Sequence, residues 1–330
     1  MRILVTGGAG YIGSHSVRLF TERGHDVWVL DNLAMGHRAA AREDRLIVAD
    51  LENVDRVDQA LVENRIEAIV HFAAHAYVGE SVTNPAKYYR NNTIATINLL
   101  DLLRRHGIQK FVFSSTCATY GTPDKVPIVE ETPQNPINPY GRSKLMVEMV
   151  LEDYRTAYGL GYAALRYFNA SGCRPDGTLG EDHEPETHLI PIAIQAAMGQ
   201  RANLQIFGTD YPTDDGTCVR DYIHVDDLAE AHLLALENLK PGQALKYNLG
   251  TGVGNSVREV VKAVEKVSGK KVPVQEGPRR PGDPPVLVAS AAKIRRELGW
   301  KPKYLDLDSI VSTAWNWHVK NPKGYNDRGK

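Results

Sequence analysis

Cysteine is scarce in this chain. Its 330 residues include three, Cys117, Cys173 and Cys218, which are far apart and odd in number. No Cys-x-x-Cys pair occurs, so neither a disulfide framework nor a zinc site is indicated, and no metal is expected. A reducing cytoplasm suits such a chain. An excess of charge of one sign is missing too. Lys plus Arg number 39 and Asp plus Glu 40. That balance argues against a nucleic-acid binder, because neutralising phosphates takes concentrated positive charge. It also excludes a charge-rich disordered chain. No apolar run approaches the ~18–20 residues that span a bilayer. The opening Met-Arg-Ile-Leu-Val-Thr-Gly-Gly reaches glycine too soon for a signal-peptide core.

What is present is a globular composition, 42% hydrophobic and 24% charged, long enough for one large or two ordinary domains. Short apolar runs at Arg2–Thr6, Asp26–Leu30, Arg45–Ala49, Ala68–Phe72, Lys110–Phe113 and Gly161–Phe168 predict strands. Helical patterns lie between them, at Val54–Asn64, Pro85–His106 and Pro139–Tyr158. This alternation predicts βαβ units and an α/β fold with helices on both faces of a parallel sheet. After about Asn169 Gly and Pro become frequent and elements shorten. We expect residues 1–169 to form the first domain and 170–330 a smaller lobe of mixed α/β topology, with segments around 221–250 returning to the first. The tail after Pro322 is expected to fray.

The first strand runs into Gly7-Gly8-Ala9-Gly10-Tyr11-Ile12-Gly13, and a helical pattern follows. A tight strand-to-helix turn, a backbone close enough to touch a pyrophosphate and close helix–sheet packing all ask for glycine at this spacing. The pyrophosphate would sit on the positive helix N-terminus. The second strand ends in Asp31, placed to accept hydrogen bonds from an adenosine ribose. These features predict a doubly wound sheet of the Rossmann type. A carboxylate at 31, followed by Asn32 and Leu33 rather than a cation, favours NAD over NADP. Asp50 could reach the adenine amine or cap the next helix.

Tyr140-Gly-Arg-Ser-Lys144 puts Tyr and Lys one helical turn apart on one face. An isolated Tyr, with pKa ~10, is a poor base at neutral pH. A neighbouring ammonium favours its phenolate, which could take a proton from a sugar hydroxyl. Ser114-Ser115-Thr116 precedes this pair and ends the fifth strand, at the carboxyl edge where open α/β sheets bind ligands. Thr116 could hold the reacting oxygen beside Tyr140.

Thr6-Gly-Gly-Ala-Gly-Tyr-Ile-Gly13, Asp31-Asn-Leu33, Phe72-Ala-Ala74, Ser114-Ser-Thr116 and Tyr140-Gly-Arg-Ser-Lys144 resemble the extended short-chain dehydrogenase/reductase family. Arg166-Tyr-Phe-Asn169, Cys218-Val-Arg-Asp-Tyr-Ile-His-Val225 and Arg279-Arg-Pro-Gly-Asp283 narrow that resemblance to its nucleotide-sugar 4-epimerases, from residue 1 to about Trp317. The resemblance implies NAD as cofactor and interconversion of UDP-galactose and UDP-glucose by inversion at C4. Tyr140 would be the acid/base, Lys144 would bind the nicotinamide ribose, and Thr116 would assist the proton transfer. Gly7, Gly10, Tyr11, Ile12 and Gly13 would meet the pyrophosphate. Asp31, Asn32, Leu33, Asp50 and Leu51 would line the adenosine. Phe72, Ala73, Ala74, Asn91, Ser114 and Phe168 would complete the channel. For the substrate, Asn169, the backbone at Leu189, Arg220 and Arg280 would hold the diphosphate, with Phe207 near the uracil and Asp283 on the uridine ribose. A homodimer through Pro85–His106 and Pro139–Tyr158 is also implied.

The chain departs from the family pattern in places. Thr116 stands for the usual Ser, Ala76 where a Lys is usual, and His188 at a substrate-facing Asn. The resemblance places the residue that would gate sugar size at Leu287, intermediate in bulk. UDP-glucose and UDP-galactose are expected as the main pair. UDP-GlcNAc/UDP-GalNAc or dual activity is the alternative. A 4,6-dehydratase would want an Asp-Glu pair after Thr116, where Cys117 and Ala118 stand. A non-catalytic NAD-binding regulator would tend to lose the Tyr/Lys pair.

Overall fold

The computed structural model describes residues 1–280 and 283–327. Pro281 and Gly282, inside the Arg279–Asp283 motif, lie outside the described residues. The first half runs β1 (Arg2–Thr6), α1 (Tyr11–Glu22), β2 (Asp26–Asp31), β3 (Leu46–Val48), α2 (Val54–Glu63), β4 (Ala68–His71), α3 (Val78–Thr83), α4 (Pro85–Tyr88), α5 (Ala95–Arg105), β5 (Lys110–Thr116), α6 (Pro139–Tyr158) and β6 (Gly161–Tyr167). The second half adds β7 (Asn169–Ser171), α7 (Leu189–Ala197), β8 (Leu204–Phe207), β9 (Val219–His224), α8 (Val225–Asn238), β10 (Ala244–Leu249), β11 (Gly254–Ser256), α9 (Val257–Ser268), β12 (Val274–Gly277), β13 (Val286–Leu287), α10 (Ala292–Leu298) and α11 (Leu307–Lys320).

Seven parallel strands form the main sheet, in the order β10-β6-β5-β4-β1-β2-β3. Its central strands are buried on both faces, Ile3, Leu4 and Val5 as fully as Ile69 and Val70. That is why they read as unbroken apolar runs rather than alternating ones. On one face α1 and α8 pack against the sheet, Leu228 and Leu236 of α8 sharing a core with Val5. On the other, Leu99 of α5 and Val147 and Leu151 of α6 share a core with Leu4, beside α2. β1 is flanked by β2 on one side and β4 on the other, so the winding reverses there and opens a crevice at the carboxyl ends.

Around this frame the second half splits. β10 is the outer strand beside β6. β9 carries β7 and β13 parallel and β11 antiparallel, and β8 pairs with β12. Helices α7, α9 and α11 share a separate core of Ile194, Val264, Ile310 and Trp317.

β5 runs to Thr116, as expected of the triplet that ends it, with Ser114, Ser115 and Thr116 paired with Leu165, Arg166 and Tyr167 of β6. Two expectations change in detail. The helix expected over Pro85–His106 is broken by a π-helical turn at Tyr89–Ile94, a distortion common at functional sites. The expected fray after Pro322 is not found as far as Asp327. The Tyr325 amide donates to Asp182 Oδ2 at 2.9 Å, its ring stacks on His37 at 4.6 Å, and Asp327 accepts from the Ala39 amide.

Candidate active site

A cavity of about 510 Å³ runs along the carboxyl ends of the sheet and under the second lobe. Its floor is the turn after β1. Gly7 has φ +72°, and a Cβ there would lie 2.6 Å from the Ala73 nitrogen, so this turn and the segment after β4 touch. A side chain at Gly13 would strike the Gly7 carbonyl. At Gly10 a Cβ would meet only that carbonyl, at 3.4 Å. Gly10 also N-caps α1, with no side chain capping the helix and no acid in its first turn. Gly10, Tyr11, Ile12 and Gly13 all line the cavity, so the first amides of α1 open on it, a ready anion site.

Asp31 ends β2, 7% exposed. Its carboxylate accepts from Ala9 N at 3.0 Å and Leu33 N at 2.8 Å. Burial raises its pKa, and those two amides work against the rise. A carboxylate has about four acceptor positions, so capacity remains toward the cavity that Asp31 lines. Leu33 does not line it. Its backbone is left-handed, with φ 59°, as the turn closes onto Asp31. Asn32 and Asp50 do line the cavity, held together by an Asn32 Nδ2 to Asp50 Oδ2 bond of 2.7 Å. Asn53, not Asp50, caps α2. Leu51, Phe72, Ala73, Ala74, Asn91 and Phe168 also sit in the wall. Among the described lining residues Lys144 is the one Lys or Arg. Arg38 points outward to Glu43 at 2.7 Å. These walls, with a carboxylate where a 2′-phosphate would need a cation, fit NAD.

The reacting groups come from β5 and α6. Asn138 caps α6 by accepting from Gly141 N at 2.8 Å, with Pro139 in the first turn. That start fixes Tyr140 on the turn facing β5. The Ala118 amide donates to Thr116 Oγ1 at 3.2 Å, and the same hydroxyl favours the charged form of the Tyr140 phenol. Lys144, 3% exposed, donates to the Ser114 carbonyl at 2.9 Å and lies over the Phe113 ring. Burial pushes the Tyr140 phenol up, and the Thr116 hydroxyl works against the rise. Burial also pushes the Lys144 ammonium down to about 7. Each group alone is driven neutral, and each is the counter-charge that would let the other ionise. Behind them Ser143 Oγ donates to the Tyr140 carbonyl and accepts from Asn92 Nδ2 at 3.1 Å. Asn92 also holds the backbone of His75 in both directions. The π-helical turn therefore ties the catalytic turn of α6 to the segment after β4.

Not every expected residue reaches the cavity. Ser114 supplies its carbonyl to Lys144 and its hydroxyl to Tyr167, at 2.7 Å. Leu189 opens α7 outside the lining. Asn169 lines the wall and donates to the Asp221 carbonyl at 3.0 Å. Arg220, Arg280, Phe207 and Asp283 form one cluster at the mouth. Asp283 bridges the two arginines, and the Arg280 guanidinium lies 5.0 Å over Phe207. Of the four, Asp283 alone lines the cavity, with Leu287 nearby.

The sequence reading missed Tyr167, Glu181 and His183, which also line it. His188 lies there too, with Nδ1 2.9 Å from both Glu181 and Glu186. Burial disfavours its charge, but Glu181 and Glu186 more than reverse this and raise it to about 10. His183 rises to about 9 by the same balance. The spacing Glu-x-His-x-x-Glu-x-His over 181–188 was the available signal.

Comparison with known proteins agrees with this geometry. Residues 3–250 match the NAD dependent epimerase/dehydratase family. The UDP-glucose 4-epimerase of Lacticaseibacillus casei is 52% identical over 99% of this chain and 100% of its own length. A crystal structure of UDP-glucose 4-epimerase from Brucella ovis in complex with NAD has a TM-score of 0.92 at 51% identity, covering 95% of this chain and 97% of that one. The structure of the Bifidobacterium longum enzyme with NAD+ and UDP has a TM-score of 0.94 at 39% identity, covering 98% and 100%. With that likeness running through both lobes, this chain belongs to the NAD dependent epimerase/dehydratase family.

Proposed function

We propose that the chain interconverts UDP-galactose and UDP-glucose, acting as a UDP-glucose 4-epimerase, an isomerase with tightly held NAD. The observation that carries this is that Tyr140 and Thr116 line the same cavity as the glycine turn and Lys144. Gly10, Tyr11, Ile12, Asp31 and Lys144 would hold NAD. The chemistry NAD supplies when bound is hydride exchange at C4. Tyr140 takes the proton of the C4 hydroxyl and returns it after the 4-keto sugar has turned about its bond to the diphosphate. Thr116 steadies the phenolic oxygen. Arg220 and Arg280 are the forked cations a diphosphate asks for, and binding through the nucleotide leaves either sugar face free to present. Asp283 would pass from its arginines to the uridine ribose. Leu287 admits hexoses and restricts N-acetyl groups. The three unpaired thiols suit the cytoplasm. Exposed Ile94, Met146 and Met149, on the helical segments expected to pair, suit a homodimer.

The test is a spectrum of the purified protein as UDP-galactose is added, followed by product analysis. UDP-glucose formed without added NAD, with a transient reduced-nicotinamide absorbance, supports the reading. No conversion, with no nucleotide released on denaturation, removes it.

A further inference from the structure

Between β7 and α7 the chain passes through Glu181-Asp-His-Glu-Pro-Glu-Thr-His188. Glu181, His183, Glu186 and His188 turn to one point there. One ring nitrogen or carboxylate oxygen from each lies within 4.8 Å of the others. His183 Nδ1 is 3.4 Å from Glu181 Oε1 and 3.6 Å from Glu186 Oε2. His188 Nδ1 is 2.9 Å from Glu181 Oε1 and from Glu186 Oε1.

Hydrogen bonding does not satisfy this gathering. His188 Nδ1 bonds to Glu186 Oε1, and a ring nitrogen has a single hydrogen to give. Glu181 Oε1 and His183 Nδ1 are buried and meet their neighbours as ion pairs, without a well-formed hydrogen bond. The Glu181 side chain is 4% exposed. A buried carboxylate oxygen is costly when no donor meets its lone pairs squarely, and a group able to meet several lone pairs at once would satisfy this cluster.

A cation does that. Bonds of ~2.0–2.2 Å from a zinc-class ion to nitrogen and oxygen set tetrahedral ligand edges of about 3.3–3.6 Å. The four distances above fall around that value, and the widest separation, within 4.8 Å, asks for a shift of about an ångström to close the shell. Glu186 is positioned for it from behind, since its Oε1 accepts from the amides of Thr187 and His188 at 2.8 Å each, leaving Oε2 directed at His183. Such outer support is usual for metal ligands. Two imidazoles with two carboxylates favour a transition metal over magnesium or calcium, which prefer oxygen alone. Two carboxylates also match a double positive charge.

We propose that Glu181, His183, Glu186 and His188 form a binding site for one divalent transition-metal cation of the zinc class. The site stands in the cavity wall beside Tyr11, whose ring meets His183 edge-on at 6.2 Å. Filling it fixes the entry to α7 and the His188 ring against the space that holds substrate.

The experiment uses the full chain, treated with chelator and dialysed, then titrated with Zn²⁺ by calorimetry and followed by thermal unfolding, with Mg²⁺ in parallel. One Zn²⁺ per chain with a raised Tm is expected, and no shift with Mg²⁺ at the same concentration. Co²⁺ on the unsubstituted chain should give the intense visible bands of a four-coordinate nitrogen and oxygen site. His183→Ala and Glu186→Gln, made separately, should each weaken uptake at least tenfold. Failure of Zn²⁺ to bind, uptake unchanged in both variants, or a thiolate-to-cobalt absorption in the near ultraviolet would each overturn the site.

Discussion

Lys144 reaches back across one strand end to give a hydrogen bond to the Ser114 carbonyl at 2.9 Å. It sits one turn beyond Tyr140, so the ammonium is held where a phenolate would need it. Burial lowers its pKa from 10.5 to about 7, while the unfolded chain keeps an ordinary lysine. Between those values the unfolded state binds more protons, so this group makes the nucleotide-free protein more stable as pH rises from about 7 toward 10. One proton is worth at most ~1.4 kcal/mol per pH unit. Lys144→Met should flatten that part of the stability-against-pH curve, read from urea unfolding at several pH values. Superimposable curves for the two proteins would show that Lys144 is not the group concerned.

Thr116 and Tyr140 line one cavity, where the Thr116 hydroxyl, not its methyl, is the group able to assist a proton transfer. Thr116→Ser should keep kcat within a few-fold. Thr116→Val keeps the shape and loses the proton donor, and should lower kcat roughly 10- to 100-fold with little change in KM. Equal losses in both variants would mean that the methyl, not the hydroxyl, matters.

Beneath the site Glu148 and Arg166 form a buried ion pair at 2.6 Å, each side chain 4% exposed. Ser115 donates to Glu148, and Tyr120 accepts from Arg166. The pair locks α6 to β5 and β6. Removing one partner strands the other charge, at a cost of about 3–5 kcal/mol. Glu148→Leu should lower unfolding stability by that order in chemical denaturation. A loss below 1 kcal/mol would mean the network is not what fixes α6.

Leu287 lines the cavity on β13. Enlarging it to Tyr should depress kcat/KM on UDP-GlcNAc further than on UDP-galactose, and Leu287→Ala should raise the first. Differences of roughly 10- to 200-fold are what one or a few methylene-sized changes bring. A ratio unmoved by both substitutions takes the gate away from this residue.

Light scattering should give twice the chain mass at micromolar concentration. Changing Met149, 61% exposed on α6, together with Ile94 to Lys should give the single mass. A wild-type monomer contradicts the dimer.

Local rules carried far in this sequence. The β1 turn was readable because only glycine fits where Gly7 meets Ala73 and Gly13 meets Gly7. Tyr140 and Lys144 were readable because a helix cap and a fixed spacing place them together. Positions set by contacts across the fold were less legible. The π-helical turn at Tyr89–Ile94 follows from where Asn92 must reach, to His75 and Ser143, not from any local pattern. The docked tail depends on Asp182 and His37, far away in sequence. The resemblance gave Arg220 and Arg280 to the diphosphate and Asp283 to the uridine ribose, whereas the structure closes the three on one another. The 181–188 run, of which His188 alone was legible, carries imidazole and carboxylate donors rather than the cysteine pairs that mark a metal site most plainly.

The most direct measurement is kcat for UDP-galactose to UDP-glucose in Tyr140→Phe beside the unsubstituted chain, with nucleotide content checked in both. Loss of the phenolic proton carrier should lower kcat by ~10²–10⁴ while bound NAD is retained. A Phe variant turning over at near-native speed would contradict the assignment of Tyr140 as the acid/base.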